Sequence, residues 1–135
     1  MITDIQVVGA REVAAGLLAD AAKVRGGLRT PVSQAGQELR RRIQARASGR
    51  PGPRVVTGNY RRSWSAESYS VPDGAAVSVG TNAPQGRRLE YGFNGVDSLG
   101  RKYNQPPYPH VGPAADGFEP VFERMIDAYV SKVLS

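Results

Sequence analysis

Few side chains in this sequence could act as acids, bases, nucleophiles or metal ligands. The chain contains no cysteine and one histidine, His110, which lies among prolines. A zinc site needs several such ligands, and a hydrolase needs a nucleophile beside a base or two carboxylates with separate roles. The scattered acids provide neither pattern, so we expect no catalytic residue, no metal and no cofactor. For His110 we expect a loop residue that bonds to backbone.

With catalysis and metal binding set aside, the chemistry left to consider is the binding of phosphate groups. The run Gly92-Phe93-Asn94-Gly95 lacks the lysine and the following Ser or Thr of a nucleotide-binding loop. Residues 23–62, however, contain eleven Lys and Arg and one acid, Glu38, a net charge of +10 in a chain whose total is +6. Such a segment could follow DNA phosphates without recognising bases, face an acidic protein, or form a solvated helix face and loop. The candidates for a DNA-proximal surface are Arg40, Arg41, Arg42, Arg46, Arg50 and Arg54.

Residues 81–115 combine glycines and prolines with aromatic side chains. The prolines limit the freedom that is lost on docking, and aromatic side chains offer large areas to bury. This combination favours a shaped surface for protein contact over an active site. Arg87 and Arg88 flank Glu90, so an ion pair or a helix-end bond is its default role. The candidate partner-interface residues are Glu90, Tyr91, Phe93, Tyr103, Tyr108 and His110.

The elements that position these residues follow from periodicity and turn signals. Residues 2–8 suit a short strand, and apolar spacing predicts a helix from Ala10 to about Val24, which Gly26-Gly27 ends or bends. Thr30-Pro31 predicts the start of a second helix, with threonine as N-cap, that runs to about Ala47.

Glycines and prolines interrupt residues 48–53, which predicts a flexible basic loop over about 48–56. A strand from Trp64, the turn Pro72-Asp73-Gly74 and a returning strand to Gly80 predict a hairpin. A short helix over 84–91 precedes a long loop or small hairpin over about 93–112. A helical stripe then begins at Pro113 or Asp116.

Together these elements predict a single α+β domain over residues 1–135. Its small antiparallel sheet, the hairpin of about 64–80 plus the N-terminal strand, is packed by two helices of the N-terminal half and a C-terminal helix. A chain of 135 residues suits one domain. No apolar run approaches the ~20 residues that span a bilayer, and no signal-peptide pattern is visible, so we expect a soluble intracellular protein without membrane contact.

Several short motifs follow one another in order over residues 57–114 of the chain. They are Thr57-Gly58-Asn59-Tyr60-Arg61-Arg62-Ser63 before the hairpin, Gly80-Thr81-Asn82 with Pro84, Leu89-Glu90-Tyr91-Gly92, and the run from Pro107 to Ala114 before the last helix. Their order resembles a known family, the tail-completion or head–tail joining proteins of long-tailed bacteriophages. The resemblance covers about residues 28–134, and an insertion at 94–106 is longer than the usual link in that family.

The resemblance implies a structural virion protein of the phage neck and no enzyme. It implies a homo-oligomeric ring, expected to be a hexamer, between the head connector or stopper and the tail terminator or tail tube. Assembly would take place in the host cytoplasm, with genomic DNA passing close by. The six arginines proposed to lie near DNA would then face the lumen of the ring. The alternative is a non-specific DNA-binding protein that uses the basic segment 23–62, although no helix-turn-helix, zinc-finger or RNA-binding motif is present. A small regulatory or toxin-like factor would rest on size and charge alone.

Overall fold

The computed structural model describes residues 3–8, 21–72 and 74–135. The predicted helix residues 10–20 therefore lie outside the described part of the chain. In chain order the described elements are β1 (Thr3–Val8), α1 (Ala21–Gly27), α2 (Arg29–Arg46), α3 (Asn59–Arg62), β2 (Ser65–Val71), β3 (Gly74–Thr81), α4 (Gly86–Tyr91), β4 (Phe93–Val96), β5 (Lys102–Gln105) and α5 (Val111–Leu134).

Strands β1, β3 and β2 form an antiparallel sheet in that order. The hairpin β2–β3 places Ala66 opposite Val79, and β1 joins the other edge of β3 with Val7 opposite Val77. The small residues of β3 are mostly buried, which lets helices approach the sheet closely. The predicted α+β fold, with its hairpin and N-terminal strand in one sheet, is confirmed.

Helices α2 and α5 pack on the sheet and on each other. The buried stripe of α2 follows three- and four-residue spacing through Val32, Leu39 and Ile43. Phe118 and Ile126 supply the facing side of α5. At Gly36 a methyl group would overlap both γ-carbons of Val77, so this glycine sets how closely α2 approaches β3.

The structure corrects two predicted helix starts. Helix α2 begins at Arg29, and Thr30 is not its N-cap, because Leu28 keeps a helical conformation and its carbonyl accepts the N–H of Val32 at 3.1 Å. Leu28 is fully buried and anchors the bend between α1 and α2. Helix α5 begins at Val111, before Pro113 and Asp116, because a distant side chain caps its first turn.

The structure differs between the two long segments, of which one was predicted as a flexible loop and the other as a long loop or small hairpin. Residues 93–105 form the antiparallel hairpin β4–β5, with Gly95 opposite Tyr103. Residues 47–58 contain neither helix nor strand, and their flexibility stays a prediction. In the part of the chain that the structure describes, no helix has both the length and the apolar character that crossing a membrane requires.

Candidate contact surface

The carboxylate of Glu90 lies at the first turn of α5. Its Oε1 atom accepts the backbone N–H groups of His110 at 3.0 Å, Val111 at 2.8 Å and Gly112 at 3.4 Å. The first N–H groups of a helix lack partners within the helix and carry its positive partial charge. A negative side chain that is only 6% exposed therefore satisfies the start of α5. The helix-end bond expected of Glu90 is present, although it is made to another helix.

His110 is fully buried beside this carboxylate. Its Nδ1 lies 2.8 Å from the carbonyl oxygen of Tyr108, and its Nε2 lies 2.6 Å from the Tyr60 hydroxyl. A neutral ring that donates from Nδ1 and accepts from the tyrosine O–H satisfies both contacts. Trp64 packs edge-on against both rings. Burial, followed by the negative charge of Glu90, raises the pKa of Tyr60, so the phenol stays protonated and can donate.

This polar cluster changes the role assigned to two predicted interface residues. Glu90 and His110 are 6% and 0% exposed, so neither side chain lies on the surface where a partner could contact it. Both are buried because they connect α4, α3 and the start of α5. Their hydrogen bonds hold the surrounding segments together, and their side chains are not part of the exposed surface.

Exposed apolar side chains instead gather on α4 and the hairpin β4–β5. Tyr91, Val96, Leu99 and Tyr103 are 71%, 58%, 76% and 43% exposed. Half-buried Phe93 lies 6.4 Å from Tyr103 between ring centres, and the guanidinium of Arg88 covers its ring at 3.8 Å. We call these residues (Tyr91, Phe93, Val96, Leu99 and Tyr103) the hairpin surface. Sequence reasoning named its aromatic members and missed Val96 and Leu99, whose apolar character in a glycine-rich segment was the available signal.

The hairpin is joined firmly to the body of the protein. The Tyr108 N–H donates to the carbonyl of Leu89 at 2.6 Å, and the Gln105 side chain donates to the carbonyl of Arg88 at 3.2 Å. Gly92 connects α4 to β4 with φ of 81°, and a side chain there would meet the Gln105 carbonyl at 2.8 Å. Only glycine adopts this conformation readily, which explains why the motif Glu90-Tyr91-Gly92 ends in glycine.

Asp97 organises the turn of the hairpin. Its carboxylate accepts the backbone N–H groups of Leu99 and Arg101, each at 2.9 Å, and the Arg101 guanidinium at 2.6 Å. The Tyr103 hydroxyl also donates to it at 3.1 Å. The hydrogen bond from the Arg101 backbone is the largest cause that lowers the pKa of Asp97 below its ordinary value of 3.8.

Replacing Asp97 with asparagine should loosen this turn, because the amide cannot accept all four hydrogen bonds and carries no charge for Arg101. We expect severalfold faster hydrogen exchange at the Leu99 and Arg101 amides.

The same hydrogen bonds should depend on pH. A carboxylate whose pKa is lowered in the folded state stabilises the folded state above the unfolded-state pKa, and this stabilisation is lost as the pH falls through the folded-state pKa. As the pH falls through the folded-state pKa, which lies below 3.8, the same two amides of the wild type should therefore lose protection relative to the intrinsic exchange rate at that pH. Asp116→Asn, at an exposed position, is the control, and equal exchange in both variants would contradict this role.

The six arginines proposed to approach DNA do not form one surface. Glu38 binds Arg41 at 2.8 Å and Arg42 at 3.1 Å, and the hydrogen bond from Arg41 is the main cause that lowers the pKa of Glu38. Arg40 is half-buried, and its Nε has no hydrogen-bond partner among the described residues. The other three lie at or beyond the end of α2 and are exposed: Arg46, Arg50 and Arg54.

Comparison with known proteins gives a match to a protein family over part of the chain. A family model described as "Bacteriophage HK97-gp10, putative tail-component" matches residues 18–92, which is more than half of the chain. The match includes α1, α2, the β2–β3 hairpin and α4, and it ends at Gly92. No curated protein and no solved structure matches the chain.

Within the described residues, no group of His, Cys, Asp or Glu side chains is arranged to hold a metal ion.

Proposed function

The chain belongs to the HK97 gp10-like family of bacteriophage tail components, and from this premise we propose that it is a structural protein of the phage neck. In this role it joins the head connector to the tail and so completes the virion. The protein surrounds the tail axis as a homo-oligomeric ring, with six copies as the expected number. Its neighbours along the axis are the connector or stopper on one side and the tail terminator or tail tube on the other.

The hairpin surface is the observation that carries this proposal. Large apolar side chains exposed together on a firmly held hairpin are typical of a protein contact site. A groove of about 710 Å³ beside them is lined by Arg88, Tyr91, Phe93 and Gln105, among others. The surface therefore offers a projecting ridge and an adjacent depression, and aromatic and arginine side chains are frequent in the central contacts of interfaces.

The alternative of a non-specific DNA-binding protein receives less support from the geometry. Glu38 occupies Arg41 and Arg42, so these two guanidinium groups are partly neutralised before any phosphate approaches. Arg50 is stacked on Tyr108 with 3.7 Å between its guanidinium carbon and the ring centre. These contacts hold three of the six arginines against other groups of the protein, so fewer guanidinium groups are free to turn toward a phosphate.

Placing a charge on the hairpin surface tests the proposal. Val96→Asp and Leu99→Asp should each reduce the yield of joined particles at least tenfold, because a central apolar contact contributes about 2 kcal/mol or more to binding. Heads and tails made without the wild-type protein would be mixed with each purified variant, and infectious particles counted. Leu134→Asp introduces the same charge at an exposed leucine elsewhere and should join normally. If the hairpin variants fold and join as well as this control, the hairpin surface is not the contact site.

A further inference from the structure

Helix α5 carries four acidic residues on its outward face. They recur at intervals of three and four residues, which places them in one row along about 16 Å of helix. All four are exposed, and among the described residues none has an ion-pair or hydrogen-bond partner. The row lies beside the buried side of α5 that contains Phe118 and Ile126. We call these residues the acidic stripe: Asp116, Glu119, Glu123 and Asp127.

A basic and partly apolar edge lies at the end of α2. Arg46, Arg50 and Arg54 are exposed there, together with Val55 and Val56, which are 42% and 92% exposed. Arg50 is held in place by the Tyr108 ring and by its hydrogen bond to the Gly52 carbonyl at 2.9 Å. A groove of about 520 Å³ adjoins this edge and is lined by Arg50, Arg54, both valines and Tyr108, among others. We call these five residues (Arg46, Arg50, Arg54, Val55 and Val56) the basic edge.

Within the described residues of one copy, the two charged surfaces are not paired with each other. Helix α2 packs against the buried side of α5, where the Arg42 guanidinium lies 5.9 Å from the centre of the Phe118 ring. The acidic stripe is exposed to solvent, and the basic edge lies at and beyond the end of α2. Where an acid is within reach of this arginine-rich helix, as Glu38 is, ion pairs form. The ion pairs of the described residues include none between the acidic stripe and the basic edge, so their complementary charges are available for pairing between two copies.

We propose that the basic edge of one copy docks on the acidic stripe of the next copy. This inference rests on the proposed ring, and it names the surfaces that close it. Two different patches on each copy make a head-to-tail contact, which forms a ring when the rotation between copies closes. Val55 and Val56 favour a protein occupant over DNA, because protein–DNA interfaces are more polar and more strongly charged than protein–protein interfaces. Ion pairs between copies also make the contact sensitive to salt.

Charge reversal on each surface tests the inference. The acid variant carries Glu119→Lys and Glu123→Lys, and the basic variant carries Arg46→Glu and Arg54→Glu. All four side chains are exposed, so circular dichroism should show the wild-type fold. Native mass spectrometry at low salt should give a ring for the wild type and monomers for each variant alone. A one-to-one mixture of the two variants, and the chain with all four changes, should both recover the ring.

Matched controls reverse charges elsewhere on the surface. Glu67→Lys on β2 and Arg25→Glu on α1 are exposed and should leave the ring intact. If the acid and basic variants assemble like the wild type, the inference is wrong while the neck function stands. If neither the mixture nor the fourfold variant recovers the ring, direct pairing of the two surfaces is wrong. A wild type that stays monomeric, alone and with neck partners, would overturn the proposed ring itself. Loss of duplex DNA binding by the basic variant, with its ring unchanged, would assign the basic edge to DNA.

Discussion

Replacing Glu90 with alanine is expected to lower the free energy of unfolding by about 3 kcal/mol, because buried N–H groups at the start of α5 lose a charged acceptor. The carboxylate also faces the positive end of the helix, which adds to the loss. Urea unfolding of the monomer measures the effect. Hydrogen exchange should locate it, with faster exchange at the amides of Val111 and Gly112.

Two further variants separate capping from general loss of a side chain. Glu90→Gln keeps one acceptor oxygen and the shape but removes the charge, so it should lose less stability than the alanine variant. Glu67→Ala removes an exposed carboxylate from β2 and should change the free energy of unfolding by less than about 0.5 kcal/mol. If Glu90→Ala unfolds like Glu67→Ala, the carboxylate does not stabilise α5.

Alanine at Gly36 and at Gly26 should change stability in opposite directions. Both glycines lie in helices, where alanine is favoured by about 1 kcal/mol. At Gly26 no atom of the described residues lies within 4 Å of the new methyl group, so we expect a gain of about 0.5–1 kcal/mol. At Gly36 the methyl group meets the γ-carbons of Val77, a buried and β-branched side chain that cannot rotate away easily. Overpacking costs of up to about 3 kcal/mol exceed the helix gain, so we expect a net loss of about 2 kcal/mol.

A double variant shows whether Val77 is the cause. With alanine at both 36 and 77, the loss should be smaller than the sum of the two single losses by at least about 1 kcal/mol, because the side chains no longer overlap. Thermal and urea unfolding of the four proteins complete this cycle. Additive losses would show that α2 is not held apart from β3 by this contact.

The sheet and the long helices could be predicted because their signals are local. The turn at 72–74 and the alternation in β3 predict a hairpin without reference to the rest of the chain, and the stripe of α2 is plain from spacing. The start of α5 could not be predicted in this way. It depends on Glu90, which is distant along the sequence, and on the fold that brings the carboxylate to Val111.

The hairpin surface could be predicted only in part, because some of its features depend on contacts that form only in the folded chain. Side-chain type indicated Tyr91 and Tyr103, whereas the exposure of Val96 and Leu99 depends on how β4 pairs with β5. The burial of His110 depends on Tyr60 and Trp64, which approach it only in the folded chain. The ion pairs of Glu38 with Arg41 and Arg42 could have been predicted, because residues three and four positions apart on a helix are close enough to pair.

The cap at α5 has a consequence for how substitutions accumulate. Glu90 accepts hydrogen bonds there from backbone N–H groups, which every residue except proline provides. Residue types at 111 and 112 can therefore change without any compensating change at position 90. Statistical covariation between positions cannot detect this contact, although it fixes one end of the longest helix described. The trace it should leave is the exclusion of proline at positions 110 and 111, whose N–H groups make the two shortest of these bonds.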